Sequence, residues 1–380
     1  MDFEFTAEQD AFRAVVREFA QQEIAPHATE WDQRGEFPTP MVAKLGELGL
    51  FGLLVPEELG GSDADFTTFC VAVEELAAVD SSMAITVSAG VGLGIGPILS
   101  FGTDAQRKQW LPDMAAGRTL GAFALTESDA GSDAGALRTR AVLDGDEWVL
   151  EGNKEFITNS GTAVTSVITV AARTNHGISA FLVPSDTAGL TVGPPYKKMG
   201  WRASDTHPLR FDDCRIPREN LLGEPNRGFQ EFLAVLDGGR IAIAALALGL
   251  SRACLEACVA YANERRAFGG PIARFQGVSF PIADLAVAVE SARLLTYHAA
   301  WLKDRGRPFR HAAAIAKLHA TEAAVDAGRT ATQVFGGSGF LEETAANRYY
   351  RDAKVLEVGE GTSEIQRLVI ARGLGLRTGA

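Results

Sequence analysis

The sequence predicts an α+β protein in which a β-rich segment is set between two helical ones. Two observations carry this. Hydrophobic periodicity is helical over residues 1–117, gives way to short Val-, Ile-, Thr- and Phe-rich runs over 118–228, and is helical again over 229–380. The strand-like runs also cluster together, which argues against a parallel sheet whose strands alternate with helices. A chain of 380 residues is long enough for two or three domains. The three segments are the expected ones.

Each element has a local reason. Thr6 and Gln9 form a capping-box signature ahead of Phe12, Val15, Val16 and Phe19, and Pro26 ends that pattern after Ile24. A short helix is expected from Pro40 to Leu48, ending at Gly49, with VPEELGG (55–61) as a loop. Asp63 or Asp65 is placed to cap the next helix, which carries Phe69, Val73 and Leu76. The uncharged run 81–101 contains too few large apolar residues for a membrane span and reads as a buried helix. A further helix is expected near 105–114. Strand candidates follow at 141–143, 147–152, 155–158, 166–172, 178–184 and 209–217. DGD (144–146) and GN (152–153) are the turn signals between the first of these. The C-terminal helices are expected at 229–264, 276–304, 309–335, 342–352 and 363–374.

Charge and composition exclude several classes. Forty-eight acidic against thirty-six basic side chains give a net charge of −12, and no basic cluster is long enough for a nucleic-acid footprint. The first residues show no basic region followed by an apolar run, so no signal peptide is expected. With no CxxC among the four cysteines, a reduced cytoplasmic protein is expected, with Cys254 and Cys258 turned toward a core or a helix partner. The six histidines lack ligand spacing, so no metal is assigned; His298, His311 and His319 are expected at interfaces or caps. GVGLGIG (90–96) lacks the spacing of a nucleotide loop and is expected to pack against a neighbouring helix. Ser160 sits in a turn with no pattern identifying a base, and no GxSxG occurs.

The chemistry concentrates at DAKVLEVGEGTSEIQRLVI (352–370). Glu360 lies between Gly359 and Gly361, just ahead of a helix that Ser363 and Gln366 would open as a capping box. The glycines free the backbone and leave room for a ligand. A carboxylate on such a bend suits a general base if dry surroundings raise its pKa; it equally suits an exposed first-turn glutamate.

FALTESDAGSD (123–133), KEFITNSG (154–161) and EGTSEIQ (360–366), in that order, resemble the acyl-CoA dehydrogenase family. ERRAFG (264–269), RFQ (274–276), QVFGGSGF (333–340) and YRDAK (350–354) extend the likeness over essentially the whole chain. The resemblance implies an N-terminal helical domain (1–117), a middle β-barrel-like domain (118–228) and a C-terminal four-helix bundle (229–380) carrying the catalytic glutamate. It also implies a homotetramer, a dimer of dimers with one FAD per subunit.

On the same resemblance, Phe123, Leu125 and Thr126 line the flavin. Phe156 packs on its ring and Thr158 donates toward N5. Ser132 contacts the pyrophosphate and lies near the bound thioester. Arg265, Phe268, Gln276, Gln333, Gly336 and Gly337 hold the ADP portion across a subunit interface, and Thr362 lies near the cofactor. Arg240, Gly359 and Gly361 join Ser132 at the substrate. Glu360 would take the α-proton of a fatty acyl-CoA as the β-hydrogen leaves as hydride, giving a trans-2-enoyl-CoA, with electrons passed on to an electron-transfer flavoprotein. Alternatives within the fold are an acyl-CoA oxidase and a dehydrogenase of a carrier-bound thioester. A flavin-binding module without dehydrogenase activity is a third. Gly359 departs from the larger residue, often tyrosine, that many members carry there, which suggests room for a branched, cyclic or otherwise bulky acyl group. No basic residue stands where it would clearly suggest a dicarboxyl substrate.

Overall fold

The computed structural model describes residues 4–377; the ends of the first and last expected segments, 1–3 and 378–380, lie outside the described residues. Seven helices come first: α1 (Ala7–Phe19), α2 (Ala28–Arg34), α3 (Thr39–Glu47), α4 (Phe66–Ala77), α5 (Ser81–Ala89), α6 (Gly96–Phe101) and α7 (Asp104–Ala115). The Thr6/Gln9 capping box forms as expected. Asp65, not Asp63, caps α4 by accepting from the Thr68 N–H. The sequence reading missed α2, and the VPEELGG loop contains a single 3-10 turn, Glu57–Leu59.

The run 81–101 is helical throughout, but a π-helical stretch, Gly90–Ile95, joins α5 to α6. The stretch meets helix Gly228–Glu264, as expected, but the nearest neighbours of two of its glycines are not helical. Gly90 abuts the Phe51 ring, and a Cβ on Gly94 would come 2.7 Å from the Gly121 carbonyl oxygen on a β-strand. This run and helix Gly228–Glu264 are both long and apolar enough to cross a membrane by composition, yet most of each is buried inside the protein.

Strands β1 (Leu120–Ala124), β2 (Arg140–Asp144), β3 (Glu147–Thr158), β4 (Thr165–Arg173), β5 (Ile178–Pro184), β6 (Leu190–Val192), β7 (Thr206–Pro217) and β8 (Leu221–Leu222) form one sheet. Its order is β6-β7-β3-β2-β4-β5-β8, with β1 parallel to β4. The pairings are otherwise antiparallel, save one parallel bridge between β2 and β4. The GN pair at 152–153 is not a turn. It lies inside β3, where Gly152 at φ +146° sits against Thr139 and the register with β7 shifts. A bulge of this kind bends a strand without ending it. β4 is buried on both faces: Val167 and Ala171 join the helical core, while Ile168, Val170 and Ala172 join a separate core within the β segment.

The C-terminal half contains α8 (Gly228–Glu264), a two-stranded ribbon of β9 (Arg266–Ala267) and β10 (Gly270–Pro271), α9 (Gln276–Asp304), α10 (Arg310–Phe335), α11 (Ala345–Leu356) and α12 (Ser363–Gly373). Every residue from Gly238 to Ser251 in α8 is buried. A helix apolar all round belongs at the centre of a fold, and α8 packs against α4, α5, α9 and α10.

Two buried carboxylates tie these parts together. Glu75 of α4 accepts from Arg13 and Arg17 of α1 and from Arg252 of α8. Asp352 of α11 accepts from the Ser81 hydroxyl at 2.6 Å and from the Trp201 N–H at 2.7 Å. The second fixes the end of α11, and so the approach to residue 360.

Candidate active site

The turn between α11 and α12 places Glu360. Its own backbone is left-handed (φ +52°), as is that of Gly361 (φ +95°), whereas Gly359 needs no such freedom. The strain therefore falls on the glutamate itself, at a cost of order 1–3 kcal/mol that surrounding structure must hold in place. Two donors do so. Lys317 of α10, fully buried, gives its ammonium to the Gly361 carbonyl at 2.9 Å, and Gln366 Nε2 gives to the same oxygen at 2.9 Å. The helix cap is Thr362, whose hydroxyl accepts from the Ile365 N–H at 3.3 Å. Ser363 lies one residue too late to cap. Gln366 is engaged at the turn carbonyls and N3 is Ile365, so the capping box read from the sequence does not form and the cap itself lies one residue earlier.

The Glu360 side chain runs against α8. A Cβ on Gly239 would come 1.9 Å from its Oε2, so the absent side chain at 239 is what admits the carboxylate. Part of the residue is solvent-accessible, but Oε2 is buried with no hydrogen-bond partner. Burial pushes its pKa up to about 7, opposed by the charges of Lys317 and Arg240. Burial in turn draws Lys317 down to about 8. Arg240 is buried beside the site with Nη1 on Asp237 at 2.5 Å. The backbone N–H of Glu360 donates to no acceptor among the described residues. Gly239 also lines an apolar cavity of about 170 Å³, walled by Phe66 and Phe69 of α4, the π-helical stretch and α8. The base thus stands at the edge of an apolar chamber. Sequence reasoning missed Gly239 and Lys317; the small pair in LDGGR was a visible trace of the first, and Lys317 left none.

The β segment presents a second group. Glu155 N–H donates to the Thr126 carbonyl at 2.9 Å, joining the FALTE and KEFIT stretches. Beside that link Phe156 is 63% exposed at φ +62°, tilted against Tyr196, an unusual state for an aromatic ring in a strand. The Thr126 and Thr158 hydroxyls are half-buried and bond to no described protein group. Phe123 is buried against Phe232 of α8, and Leu125 is buried with its carbonyl taken by Lys154 Nζ at 3.0 Å. What these two can offer a ligand is backbone. Ser132 is exposed on the following loop.

Arg265, Phe268, Gln276, Gln333, Gly336 and Gly337 gather elsewhere, where α8 and α10 end and α9 begins, and are all exposed. Phe335, stacked on Tyr261 at 4.1 Å, links the ends of α10 and α8 there. An exposed flat ring and free hydroxyl donors suit an isoalloxazine, and a charged, glycine-rich rim suits phosphates and adenosine. The donor set fits FAD.

Family models cover the chain in three consecutive parts: acyl-CoA dehydrogenase N-terminal domain over residues 6–118, middle domain over 122–214 and C-terminal domain over 226–375. The chain belongs to the acyl-CoA dehydrogenase family. It is 50% identical to a probable acyl-CoA dehydrogenase of Bacillus subtilis, over 98% of this chain and 100% of that one. To the mitochondrial short-chain specific acyl-CoA dehydrogenase of Mus musculus it is 49% identical, over 94% and 88% respectively. Butyryl-CoA dehydrogenase from Megasphaera elsdenii superposes with a TM-score of 0.95 at 41% identity, covering 98% of this chain and 100% of that one. As an acyl-CoA dehydrogenase the chain is an FAD-dependent oxidoreductase.

Proposed function

We propose that Glu360 is the base that takes the α-proton of an acyl-CoA thioester, leading to a trans-2-enoyl-CoA. The observation that carries this is its buried, unpartnered Oε2, lodged in the gap at Gly239 beside the apolar cavity. A carboxylate with a pKa near 7 is matched to proton abstraction at neutral pH far better than an exposed one. Its free backbone N–H is suited to the thioester carbonyl, where negative charge builds as the proton leaves. Lys317 and Gln366 hold the turn so that neither donor nor base must reorganise. FAD, when bound, supplies the hydride acceptor for the β-hydrogen. Thr126, Phe156 and Thr158 would orient its ring and Thr362 would lie near it; Ser132 would lie near its pyrophosphate. Electrons then pass to an electron-transfer flavoprotein.

The remaining cofactor residues belong with a neighbouring subunit. The Arg265–Gln333 group lies at the ends of α8 and α10 and the Thr126–Thr158 group on the β segment, which favours an FAD cleft completed by a second subunit. Phe280, Val287, Leu294 and Trp301 are exposed at seven-residue intervals along α9. A repeated apolar stripe of that kind seeks a partner helix, which favours a homotetramer. Four buried, unpaired cysteines favour a cytoplasmic setting. Gly359 favours a bulky α-substituent, because a Cβ there would meet nothing closer than the Val355 carbonyl at 3.5 Å.

Anaerobic mixing of the yellow holoenzyme with straight, 2-methyl-branched and aromatic acyl-CoAs tests the reading. Bleaching of the flavin, restored by a flavoprotein acceptor, is expected. No bleaching with any thioester overturns the activity; restoration by air alone makes the protein an oxidase.

A further inference from the structure

The acyl cavity holds one charged side chain that the proton-abstraction machinery does not use. Lys303, near the end of α9, lines the cavity opposite α8. Its Nζ lies 4.7 Å from the Phe66 ring centroid and 4.8 Å from that of Phe309. It donates no hydrogen bond and forms no ion pair among the described residues. Gly238 is what uncovers it: a Cβ there would sit 3.4 Å from Nζ. Aromatic faces stabilise an ammonium but accept none of its three hydrogen bonds in the usual geometry. A plain alkyl chain filling this space would strip water from those donors and return nothing, which is unfavourable.

The surrounding charges decide what kind of acceptor fits. Asp304 is occupied at the start of α4, accepting from the Phe66 and Thr67 N–H groups and the Thr67 hydroxyl. Asp237 is shared between Arg240 and Arg310. Both carboxylates are near enough to Lys303 to support its charge against the burial that lowers its pKa. Burial still outweighs them, but two carboxylates close by make a further full anion unfavourable, while the ammonium's donors stay open.

Position follows from the two glycines. The Cβ sites of residues 238 and 239 are roughly 5.5 Å apart on the helix, so the Glu360 carboxylate and Lys303 ammonium are separated by no more than roughly 11 Å. Allowing roughly 3 Å for contact at each end leaves at most about 5 Å from the α-carbon to an acceptor. An oxygen on the fifth acyl carbon stands at that limit.

We infer that Lys303, uncovered by Gly238, selects acyl groups carrying a neutral oxygen acceptor, a ketone or hydroxyl, on the fifth carbon. This rests on the proposed acyl-CoA dehydrogenation at Glu360. A basic group facing the acyl chain was not evident from the sequence, because nothing there places residue 303 opposite residue 238.

The test compares 5-oxohexanoyl-CoA, hexanoyl-CoA and glutaryl-CoA as reductants of the holoenzyme flavin. A hydrogen bond to a charged donor predicts kcat/KM about 10- to 100-fold higher for the oxo compound than for hexanoyl-CoA. In Lys303→Met that ratio should fall to near one. Gly238→Met, which covers the ammonium without removing it, should do the same and serves if Lys303→Met does not fold. Equal kcat/KM for the oxo and alkyl compounds in the wild type, or a ratio unchanged in both variants, overturns the assignment. Glutaryl-CoA as the preferred substrate overturns the neutral acceptor. Failure of all three thioesters to bleach the flavin would instead count against the dehydrogenase reading itself.

Discussion

Replacing Gly239 by alanine isolates the geometry of the base from its chemistry. The new methyl would stand 1.9 Å from Glu360 Oε2 and 2.9 Å from Cδ, where ordinary contact begins near 3.4 Å. The carboxylate, the far end of a flexible side chain, must therefore retreat by about 1.5 Å. Misplacing a reacting group by roughly 1 Å can cost about 10²-fold in rate. The fold should tolerate the change, since alanine inside a helix is favoured over glycine by roughly 0.8–1 kcal/mol. Rapid anaerobic mixing with acyl-CoA reads the consequence directly. The expected result is a flavin bleaching rate down about 10²-fold, with flavin content and melting temperature at or above wild type. A wild-type bleaching rate in well-folded Gly239→Ala would refute the claim that this gap positions the base.

Three further outcomes follow from the electrostatics. Glu360 must be ionised to accept a proton, so kcat/KM should rise with pH through about 7 and fall to roughly a tenth of its plateau one unit below that; a limb near pH 4.5 would mean the carboxyl is solvated. Lys317→Met removes the charge with the larger lowering effect on the Glu360 pKa, so the limb should move up by about one unit, with roughly fivefold less activity at pH 7; an unmoved limb would show Lys317 to be structural only. Arg252, Arg17 and Arg13 overcome the effect of burial to bring the Glu75 carboxyl down to about 2 from an ordinary 4.5. A depressed pKa stabilises the fold above pH 4.5 and loses that contribution as pH falls toward 2. Glu75→Gln should then cost about 3 kcal/mol at pH 7, and less at pH 3, by denaturant titration.

Periodicity made the outline legible. The long C-terminal helices and the clustered strands followed from local repeats, and Thr6 and Asp65 capped where side-chain chemistry said they could. The misreadings share a cause. Gly152-Asn153 looks like a turn because glycine permits one, but only the pairing of β3 with β7 and β2 shows that the strand bends and continues. Gly359 was read as conformationally special, yet the left-handed backbone belongs to Glu360, held by a lysine forty-four residues before Gly361. The site was legible where it lies in contiguous motifs. It was illegible where it depends on packing across the fold, as Gly239 and Lys303 do, since each acts through what faces it.

The central claim is that one carboxylate does the proton transfer. Glu360→Gln keeps the shape of the side chain and removes its basicity. Single-turnover anaerobic mixing of this variant with acyl-CoA should give normal flavin content and thioester binding, with flavin reduction slowed by about 10²- to 10⁴-fold or more. Reduction at the wild-type rate would contradict the account.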